Sequence, residues 1–419
     1  MDILLFEDLN KEERSTLIEK GSRRLDWALS FMPVLSSLSR EIGENGTLKD
    51  IRIAMALHTE AKTGVLALSL AEAGARVRLT SCNPLSTDDS VSLALMDRGI
   101  EVRARHGESR EDYYRALNWA LDMEPQVIID DGGDLLKLLH TERRELLGKV
   151  LGGCEETTTG IIRLKAMEKE GKLEIPMMNV NDCAMKHFFD NRYGTGQSTM
   201  DGILNATNLT IAGRKVSVAG YGWCGKGIAM RLKGLGAVVT ISEVDPIKAV
   251  EAAHDGFNVK SLKEAAPEAD IIITATGCKN VVSKEIIQNL KDNCTLANSG
   301  HFDNEIDVSY LGNFPSRRTR EHVETFDLEG KRINLLSEGR LVNLAAGQGH
   351  PVEIMDMSFA IQMAGAEMIA KGGLLKGVID FPDELDRNIA LIKLRSMGAT
   401  IDTLTEEQKE YLTSWEEGT

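Results

Sequence analysis

Four residues in the middle of the sequence carry groups that can move protons. Asp131 and Glu156 each follow another acidic residue, and Lys186 and Asp190 come further along the chain. Lys186 and Asp190 lie four positions apart, so on a helix their side chains share one face. A surface ion pair is the alternative, but lysine before aspartate is the less favourable order for a helical pair. The spacing therefore makes Lys186 a candidate base with Asp190 beside it on the same face.

Two histidines lie where strands are predicted to end, His58 after IRIAMAL and His301 within SGHF. A single histidine is more often structural than catalytic, but two at strand ends that face one crevice indicate a site. The remaining histidines, such as His106, His254 and His322, are interpreted as structural.

A glycine-rich loop indicates a dinucleotide site. Gly220, Gly222 and Gly225 form G-x-G-x-x-G after a predicted strand and at the start of a predicted helix, where a pyrophosphate can approach backbone N–H groups. The next strand ends in Glu243, about 20 residues on, where a carboxylate accepts the ribose hydroxyls of NAD and repels the extra phosphate of NADP. Lys248 nearby weakly favours NADP. The motif predicts NAD as the cofactor, and a tight turn without a ligand is the alternative.

These residues must be positioned by the ends of parallel strands. Strand-like and helix-like segments alternate over residues 51–133 and again from Lys215, which is typical of parallel sheets with crossover helices. The predicted fold is α/β, with two doubly wound parallel-sheet, Rossmann-like domains joined by a hinge and a small C-terminal helical segment. The predicted divisions are a substrate-binding domain at 1–187, an NAD-binding domain at 188–349, a return to the first domain at 350–382 and an oligomerisation segment at 383–419.

The composition is typical of a compact protein that binds small molecules. The 419 residues allow two or three domains, and a net charge of −15 repels nucleic acid and anionic lipid surfaces. No stretch approaches the ~18 uncharged apolar residues of a membrane span, and no signal peptide is recognisable. The six cysteines are scattered without a C-x-x-C pair, so no metal site or disulfide is predicted. We expect a cytoplasmic protein with a small-molecule substrate and no nucleic-acid or membrane partner.

Long motifs along the chain resemble those of one family. The runs DDGGD, EETTTG, NVND, GYGWCGKG, SGHFDNEID and EGRLVNL, followed by GHP, are similar to those of the adenosylhomocysteinase family over nearly the whole chain. The resemblance implies reversible, NAD-dependent hydrolysis of S-adenosyl-L-homocysteine or S-inosyl-L-homocysteine to a nucleoside and homocysteine, without net redox change. It also implies a homotetramer.

The resemblance assigns roles to the proton-moving residues. Hydride transfer to NAD forms a ketone at C3′ of the ribose and makes the C4′ proton acidic, so that the thiolate leaves from C5′ and water adds before re-reduction. By similarity, Lys186 acts at the 3′-hydroxyl with Asp190 tuning it, and Glu156 holds the ribose hydroxyls. Asp131 and His58 handle the protons at C4′ and at the sulfur, and the sequence leaves open which residue handles which proton. His301 closes over the same centre.

The resemblance also implies which residues contact the two ligands. The substrate-binding set is Glu60, Lys62, Ser86, Asp88, Asn181, Leu344, His350, Met355 and Phe359. The cofactor-binding set is Thr157, Thr158, Thr159, Asn191, Gly220, Gly222, Trp223, Cys224, Gly225, Lys226, Gly227, Glu243, Lys248, Thr276, Gly277, Ser299, Gly300 and Asn343. The threonine run could equally form an edge strand, but the flanking Glu156 and Gly160 favour a cofactor contact.

The sequence departs from the family where the nucleobase is recognised. Adenosine-using members carry H-x-T-x-E after the first strand, whereas this chain reads His58-Thr59-Glu60-Ala61-Lys62. Lys62 stands where the family has a glutamate, so a hydrogen-bond donor replaces an acceptor. A donor here suits the carbonyl of hypoxanthine, and Glu60 or Asp88 can accept the ring N–H of that base. We therefore predict S-inosyl-L-homocysteine as a substrate, as for some archaeal relatives. The alternative is that Lys62 pairs with Glu60 and that adenine is bound through backbone groups near His350.

Two further departures concern the cofactor. Thr195 stands where the family has a cysteine, which removes a thiol near NAD but no proton-transferring group. The sequence ends at SWEEGT, without the Lys- and Tyr-bearing tail that reaches the neighbouring subunit's NAD in the family. This pattern resembles a short-tailed branch of archaeal and thermophile type and predicts looser NAD retention than in tailed relatives.

Two other functions explain parts of the pattern. An ordinary NAD dehydrogenase explains the glycine loop but not the acid–base residues between 131 and 190, and it would accumulate NADH. A catalytically silent regulatory relative would keep the fold but lose some of the six predicted catalytic residues, and all six are present.

Overall fold

The computed structural model describes residues 6–415, so the last four residues of the SWEEGT tail lie outside the described part. The strands are β1 Arg52–Leu57, β2 Arg76–Ser81, β3 Glu101–Arg103, β4 Val127–Asp130, β5 Gly152–Glu155, β6 Pro176–Asn179, β7 Lys215–Ala219, β8 Val238–Ser242, β9 Asn258–Val259, β10 Ile271–Thr274, β11 Cys294–Asn298, β12 Ser316–Arg320, β13 Val323–Leu328, β14 Lys331–Leu336 and β15 Gly377–Asp380. The helices are α1 Lys11–Ser30, α2 Pro33–Asn45, α3 Ala61–Glu72, α4 Asp89–Asp97, α5 Arg110–Leu121, α6 Asp134–Thr141, α7 Thr158–Lys169, α8 Ala184–Lys186, α9 Thr195–Thr207, α10 Trp223–Gly234, α11 Pro246–His254, α12 Leu262–Ala265, α13 Lys284–Gln288, α14 Val308–Leu311, α15 Val342–Ala345, α16 Val352–Ala370, α17 Asp383–Ser396 and α18 Glu406–Thr413.

The first sheet is parallel throughout, with the strand order β15-β6-β5-β4-β1-β2-β3. Alternate residues of β1 serve opposite faces: Ile53 and Met55 belong to one hydrophobic cluster, and Ala54 and Ala56 to another. Both faces are therefore covered, which explains why these strands read as continuous apolar runs. Because β15 completes this sheet, the chain returns to the first sheet after building the second.

The second sheet has the order β12-β13-β14-β11-β10-β7-β8-β9 and is parallel from β14 to β9. The two-sheet α/β prediction is confirmed, but β12 and β13 run antiparallel at one edge, which the sequence analysis did not predict. Glu329 and Gly330 join β13 to β14 with positive φ angles of 55° and 96°. A two-residue turn of this kind makes a hairpin, because a parallel return needs a long crossover.

The segments that link the sheets form the floor of the crevice between them. α8 continues into a π-helix at His187–Gly194, and α9 follows. π-helical turns are rare and occur mostly at functional sites. The returning helix α16 lies within the predicted return to the first domain and is buried along most of its length. Within residues 6–415, no helix is long and apolar enough to cross a membrane.

The C-terminal segment contributes to the hinge through α17. The Asp386 carboxylate accepts hydrogen bonds from the backbone N–H groups of Ala184 (2.9 Å) and Met185 (3.1 Å), the first residues of α8. This contact satisfies two donors that a helix start leaves free, and it fixes the helix that ends in Lys186. α18, in contrast, has no buried residues. We retain the predicted domain boundaries as a proposal.

Candidate active site

A cavity of about 1130 Å³ lies where the carboxyl ends of the two sheets face each other. It is lined by all six predicted catalytic residues, His58, Asp131, Glu156, Lys186, Asp190 and His301. The predicted ligand contacts that also line it are Glu60, Lys62, Thr157, Thr158, Thr159, Asn181, Asn191, Gly220, Gly222, Trp223, Cys224, Lys226, Glu243, Lys248, Thr276, Gly277, Ser299, Gly300, Asn343, Leu344, His350, Met355 and Phe359. Four predicted contacts lie outside this lining: Ser86, Asp88, Gly225 and Gly227.

Lys186 lies buried between two carboxyl groups. Its Nζ donates hydrogen bonds to the Glu156 carbonyl oxygen (2.9 Å), Asn191 Oδ1 (2.8 Å) and Asn181 Oδ1 (3.2 Å). The carboxylates of Glu156 and Asp190 lie 3.4 and 3.8 Å from Nζ. Burial alone would lower the pKa of Lys186, but the carboxylates of Asp190 and Glu156 outweigh it and raise this pKa overall. The resting side chain is therefore an ammonium group.

Glu156 and Asp190 have opposite pKa shifts. Burial raises the pKa of Glu156 to about 7, although Lys186 and a hydrogen bond from Gln362 act in the other direction. Burial also opposes ionisation of Asp190, but the ammonium of Lys186 and the hydrogen bond from His350 lower the pKa of Asp190 overall. The site therefore holds one carboxyl group that titrates near neutrality beside one that stays ionised.

His58, Asp131 and His301 form a second cluster in the same cavity, and Asp131 follows β4 as Glu156 follows the neighbouring β5. His58 Nε2 lies 3.5 Å from Asp131 Oδ2, and His301 Nδ1 lies 3.9 Å from Asp131 Oδ1. Burial lowers the pKa of His58, so its imidazole is neutral and able to accept a proton. Asp131 Oδ1 is buried and accepts no hydrogen bond from the described residues. The donor atoms of His58, Cys82 and Asp131 also lie within 4.8 Å of one another, a grouping that no sequence spacing predicted.

The glycine loop leaves open space over the start of α10. Gly220 has φ of 98°, and a Cβ there would lie 2.6 Å from the Ala275 carbonyl oxygen, so only glycine is tolerated. A Cβ on Gly222 would meet no atom within 4 Å, and no side chain caps the helix start. The Glu243 carboxylate lines the same space and accepts a hydrogen bond from Tyr221 N (2.7 Å). Free helix N–H groups beside a ribose-accepting carboxylate suit NAD.

Polar groups at the other end of the cavity suit the nicotinamide. Asn343 Oδ1 is buried and has no partner among the described residues, while its Nδ2 donates to Ser198 (3.2 Å). An unpaired buried acceptor is costly, so this atom is available for a ligand's amide. The threonine run forms the start of α7 rather than an edge strand, with Thr157 capping Gly160 N (3.0 Å).

Gly225 and Gly227 serve packing instead of lining the cavity. A Cβ on Gly225 would lie 2.0 Å from the Gly220 carbonyl oxygen, and one on Gly227 would lie 1.7 Å from the Arg192 carbonyl oxygen. The two glycines therefore let α10 approach the loop on one side and the π-helix on the other. They act on the cofactor site only through the position of this helix.

Ser86 and Asp88 also take part in contacts outside the lining. Ser86 Oγ lies 2.5 Å from His58 Nδ1, so it orients the imidazole. Asp88 caps α4 by accepting from Ser90 N (3.0 Å), and its other oxygen accepts from Arg24. Both oxygens of Asp88 therefore have partners within the protein, and the expected contact of this residue with a base stays a prediction.

Lys62 and Glu60 contact each other, as one of the two alternatives anticipated. Lys62 is 6% exposed, and its Nζ lies 2.7 Å from Glu60 Oε2 and donates to the Gln348 carbonyl oxygen at 2.7 Å. Glu60 also caps α3 by accepting from the N–H groups of Lys62 and Thr63, each at 3.2 Å. Both side chains nevertheless line the cavity.

Three supporting residues were missed by the sequence analysis. Gln362 donates to Glu156, Ser358 donates to Asp190 (2.6 Å), and Glu305 accepts from Thr276 Oγ1 (2.7 Å). Ser358 and Gln362 are polar residues four positions apart in the apolar helix α16, so they share a face. That spacing was a usable signal. Glu305 stands within the run SGHFDNEID that carries the family resemblance, but its partner Thr276 could not be predicted because it lies beyond the end of another strand.

A glycine loop that accommodates a dinucleotide, in one cavity with a buried lysine and its carboxyl partners, defines a two-domain NAD-binding enzyme. Family models match residues 13–151 as "S-adenosyl-L-homocysteine hydrolase" and residues 191–349 as its "NAD binding domain". The chain belongs to the S-adenosyl-L-homocysteine hydrolase family. It is therefore an NAD-dependent hydrolase, and the prediction of NAD as cofactor is confirmed.

Individual relatives support the same assignment. The chain is 56% identical over 406 residues to the adenosylhomocysteinase of Thermoplasma volcanium, which covers 96% of this chain and 99% of that protein. It is 55% identical over 407 residues to the S-inosyl-L-homocysteine hydrolase of Methanocaldococcus jannaschii, covering 96% and 98%. The crystal structure of a dipicolinate synthase chain from Bacillus halodurans, with a TM-score of 0.50 and 14% identity, covers 77% of this chain and 99% of that chain. That likeness concerns the fold alone.

Proposed function

We propose that this enzyme hydrolyses a nucleosyl-homocysteine thioether reversibly, releasing homocysteine, and that S-inosyl-L-homocysteine is its preferred substrate. The observation that carries the proposal is the buried Lys186, held between Glu156 and Asp190 in the same cavity as the glycine loop. A dehydrogenase with net redox turnover needs only the loop and one acid–base group. The second cluster at His58 and Asp131 is what an elimination at C4′ and C5′ requires.

NAD, when bound, supplies the reversible oxidation of C3′. Glu156 accepts hydrogen bonds from the ribose hydroxyls, and Lys186 acts on the 3′-hydroxyl proton. Because Glu156 helps to keep Lys186 charged, its engagement by the ribose lowers the pKa of Lys186 and prepares that amine to accept a proton. Asp190 stays ionised and orients the amine.

The second cluster exchanges protons at C4′ and at the sulfur. Asp131 Oδ1, which is buried without a hydrogen-bond partner among residues 6–415, accepts the C4′ proton. The proton that Asp131 takes from C4′ passes to the neutral His58, whose Nε2 lies 3.5 Å from Asp131 Oδ2 and whose ring Ser86 orients, and the imidazolium so formed protonates the departing thiolate. Neutral again, His58 accepts a proton from the incoming water and returns it through Asp131 to C4′. His301 flanks Asp131 and excludes bulk water. Each such proton transfer contributes about 10²–10⁴-fold to the rate.

The preference for inosine rests on Lys62 and Glu60. Two of the three N–H donors of Lys62 are engaged, by Glu60 and by the Gln348 carbonyl oxygen, which leaves one for the cavity. Hypoxanthine offers a carbonyl acceptor and a ring N–H, whereas adenine offers an amine and a bare ring nitrogen. Lys62 matches the carbonyl and Glu60 accepts the ring N–H, whereas an adenine amine would meet Lys62, which is a donor only. Overall similarity does not distinguish the two substrates, because an adenosylhomocysteinase is 56% identical to this chain and an S-inosyl-L-homocysteine hydrolase is 55% identical.

Comparing the two thioethers tests the base assignment. We expect kcat/KM for S-inosyl-L-homocysteine to exceed that for S-adenosyl-L-homocysteine by up to about 10⁴-fold, since unpaired polar groups are left with the wrong base. Lys62→Met should narrow the ratio by lowering the inosyl value, whereas the exposed Lys137→Met should leave it unchanged. A strong adenosyl preference of the wild type would contradict the assignment. If the enzyme releases homocysteine from neither thioether, the remaining functions are an ordinary NAD dehydrogenase and a catalytically silent regulatory relative.

The pH dependence of kcat/KM tests the role of Glu156. Its pKa of about 7 predicts an acid limb near neutrality, because the carboxylate that accepts the ribose hydroxyls is protonated below that pH. Gln362 lowers this pKa, so Gln362→Leu should move the acid limb to higher pH. The exposed Gln288→Leu is the control and should keep the wild-type profile. A limb that stays in place in Gln362→Leu argues against Glu156 as the titrating group.

We also propose that the chain assembles as a homotetramer in the cytoplasm. Apolar side chains on and after α18 are exposed in the single chain, among them Leu412 at 65% and Trp415 at 90%. Such side chains are favoured at subunit interfaces, where they are covered.

A further inference from the structure

Two buried carboxyl groups behind the cavity are not used by the proposed chemistry. Asp130 ends β4 and Glu155 ends β5, and the strand register places the two residues directly opposite each other. Both are fully buried. Adjacent strands lie about 4.8 Å apart, and register partners leave a sheet on the same face, so two ionised carboxylates here would repel strongly.

Each carboxyl group anchors the loop that carries a neighbouring site residue. Glu155 Oε1 accepts hydrogen bonds from Gly132 N (2.9 Å) and from Thr157 N (3.0 Å), while its Oε2 is buried without a partner among the described residues. Asp130 Oδ1 accepts from Asp131 N (3.2 Å), and Oδ2 accepts from Leu136 N (2.9 Å). The pair therefore ties down the turn after β4 and the turn after β5.

We propose that Asp130 and Glu155 hold one proton between them, on Glu155, and act as a positioning pair that holds Asp131 and Glu156 in their catalytic places. Asp130 is the carboxylate, because both of its oxygens receive N–H donors. Glu155 carries the proton on Oε2, the oxygen that accepts nothing. Burial raises the pKa of Asp130 to about 7 and that of Glu155 well above its usual range, which agrees with a retained proton.

The surroundings of Glu155 are built around this arrangement. A Cβ on Gly160 would lie 2.0 Å from the Glu155 carboxyl group, so glycine provides the space that the group occupies at the start of α7. Loss of the proton on Glu155 would place two negative charges between adjacent strands. The turns would then separate, and Asp131 and Glu156, the residues next in sequence, would move with them.

The two amide substitutions should have very different effects on kcat. In Glu155→Gln, the carbonyl oxygen replaces Oε1 and the NH₂ group replaces the protonated Oε2, so we expect kcat at neutral pH within about threefold of wild type. In Asp130→Asn, the NH₂ group replaces one of two oxygens that each accept a backbone N–H, so it faces a second donor whichever way the amide is turned. We expect the turn that carries Asp131 to shift by about 1 Å and kcat to fall about 100-fold. The wild type should lose kcat at alkaline pH as Glu155 ionises, and Glu155→Gln should keep its activity to higher pH.

Infrared spectra of the holoenzyme test the proton without needing turnover. About one pH unit above the pKa of about 7 of Glu156, where that buried group is largely ionised, the wild type should show the carbonyl stretch of a buried protonated carboxyl group, which Glu155→Gln should lack and the exposed Glu170→Gln should retain. A spectrum that Glu155→Gln leaves unchanged would overturn the proposal, as would equal losses of kcat in the two amide variants. The kcat readout rests on the proposed hydrolysis, whereas the infrared readout remains valid if that function fails.

Discussion

Lys186→Met should lower the rate of homocysteine release by about 10³-fold, within the range that one acid–base group contributes. The substitution keeps the length of the side chain but removes the amine that donates to Glu156, Asn181 and Asn191. It also leaves the carboxyl groups of Glu156 and Asp190 without their buried cation, and an unpaired buried charge costs about 3–5 kcal/mol. Initial rates with saturating thioether, measured well below the unfolding temperature, give the effect on kcat.

The matched control is Lys172→Met, whose lysine is exposed and paired with Glu170. An exposed ion pair is screened by solvent and contributes little to stability, so this variant should keep the wild-type rate. Retention of NAD by Lys186→Met distinguishes a chemical defect from unfolding. A loss of less than tenfold in a folded, NAD-containing variant would remove Lys186 from the proposed chemistry.

Gly227→Ala should impair both NAD retention and turnover, with kcat falling about 100-fold. The added Cβ would lie 1.7 Å from the Arg192 carbonyl oxygen, so α10 must move away from the π-helix that carries Asp190 and Asn191. The clash is with backbone atoms, so no side-chain movement can relieve it. The amount of NAD that remains bound after gel filtration, together with kcat, measures the displacement.

Gly234→Ala is the control, since this glycine ends the same helix and a Cβ there would meet no atom within 4 Å. Alanine is the better helix former, so this variant should be equally active and more stable by up to about 1 kcal/mol. Equal behaviour of the two alanine variants would show that close packing of α10 on the hinge is unnecessary.

Local patterns in the sequence predicted much of the fold. Buried parallel strands read as short apolar runs, and Gly220, Gly222 and Glu243 have a fixed spacing because the backbone around a pyrophosphate is fixed. The antiparallel edge was missed because a two-residue turn, Glu329-Gly330, was not recognised between two strand-like segments.

Partners supplied by distant segments could not be predicted in the same way. Asp88 has the chemistry of a base-reading acceptor, but Arg24 and Ser90 engage it. Gln362 and Ser358 reach the site from a helix far along the chain, and only packing of α16 beneath the cavity brings them to Glu156 and Asp190.

The sequence by itself determined the residue types available for chemistry: a dinucleotide loop, a lysine with carboxyl partners, two histidines at strand ends, and a lysine where an adenine acceptor is usual. The tertiary structure decided which of these groups meet and in what charge state. Glu156 and Asp190 are both buried, and it is the partners that other elements bring to Asp190, among them His350 and Ser358, that keep it ionised while the pKa of Glu156 rises to about 7. In the same way Asp130 and Glu155, two ordinary acidic residues in the sequence, become a pair that cannot be fully ionised.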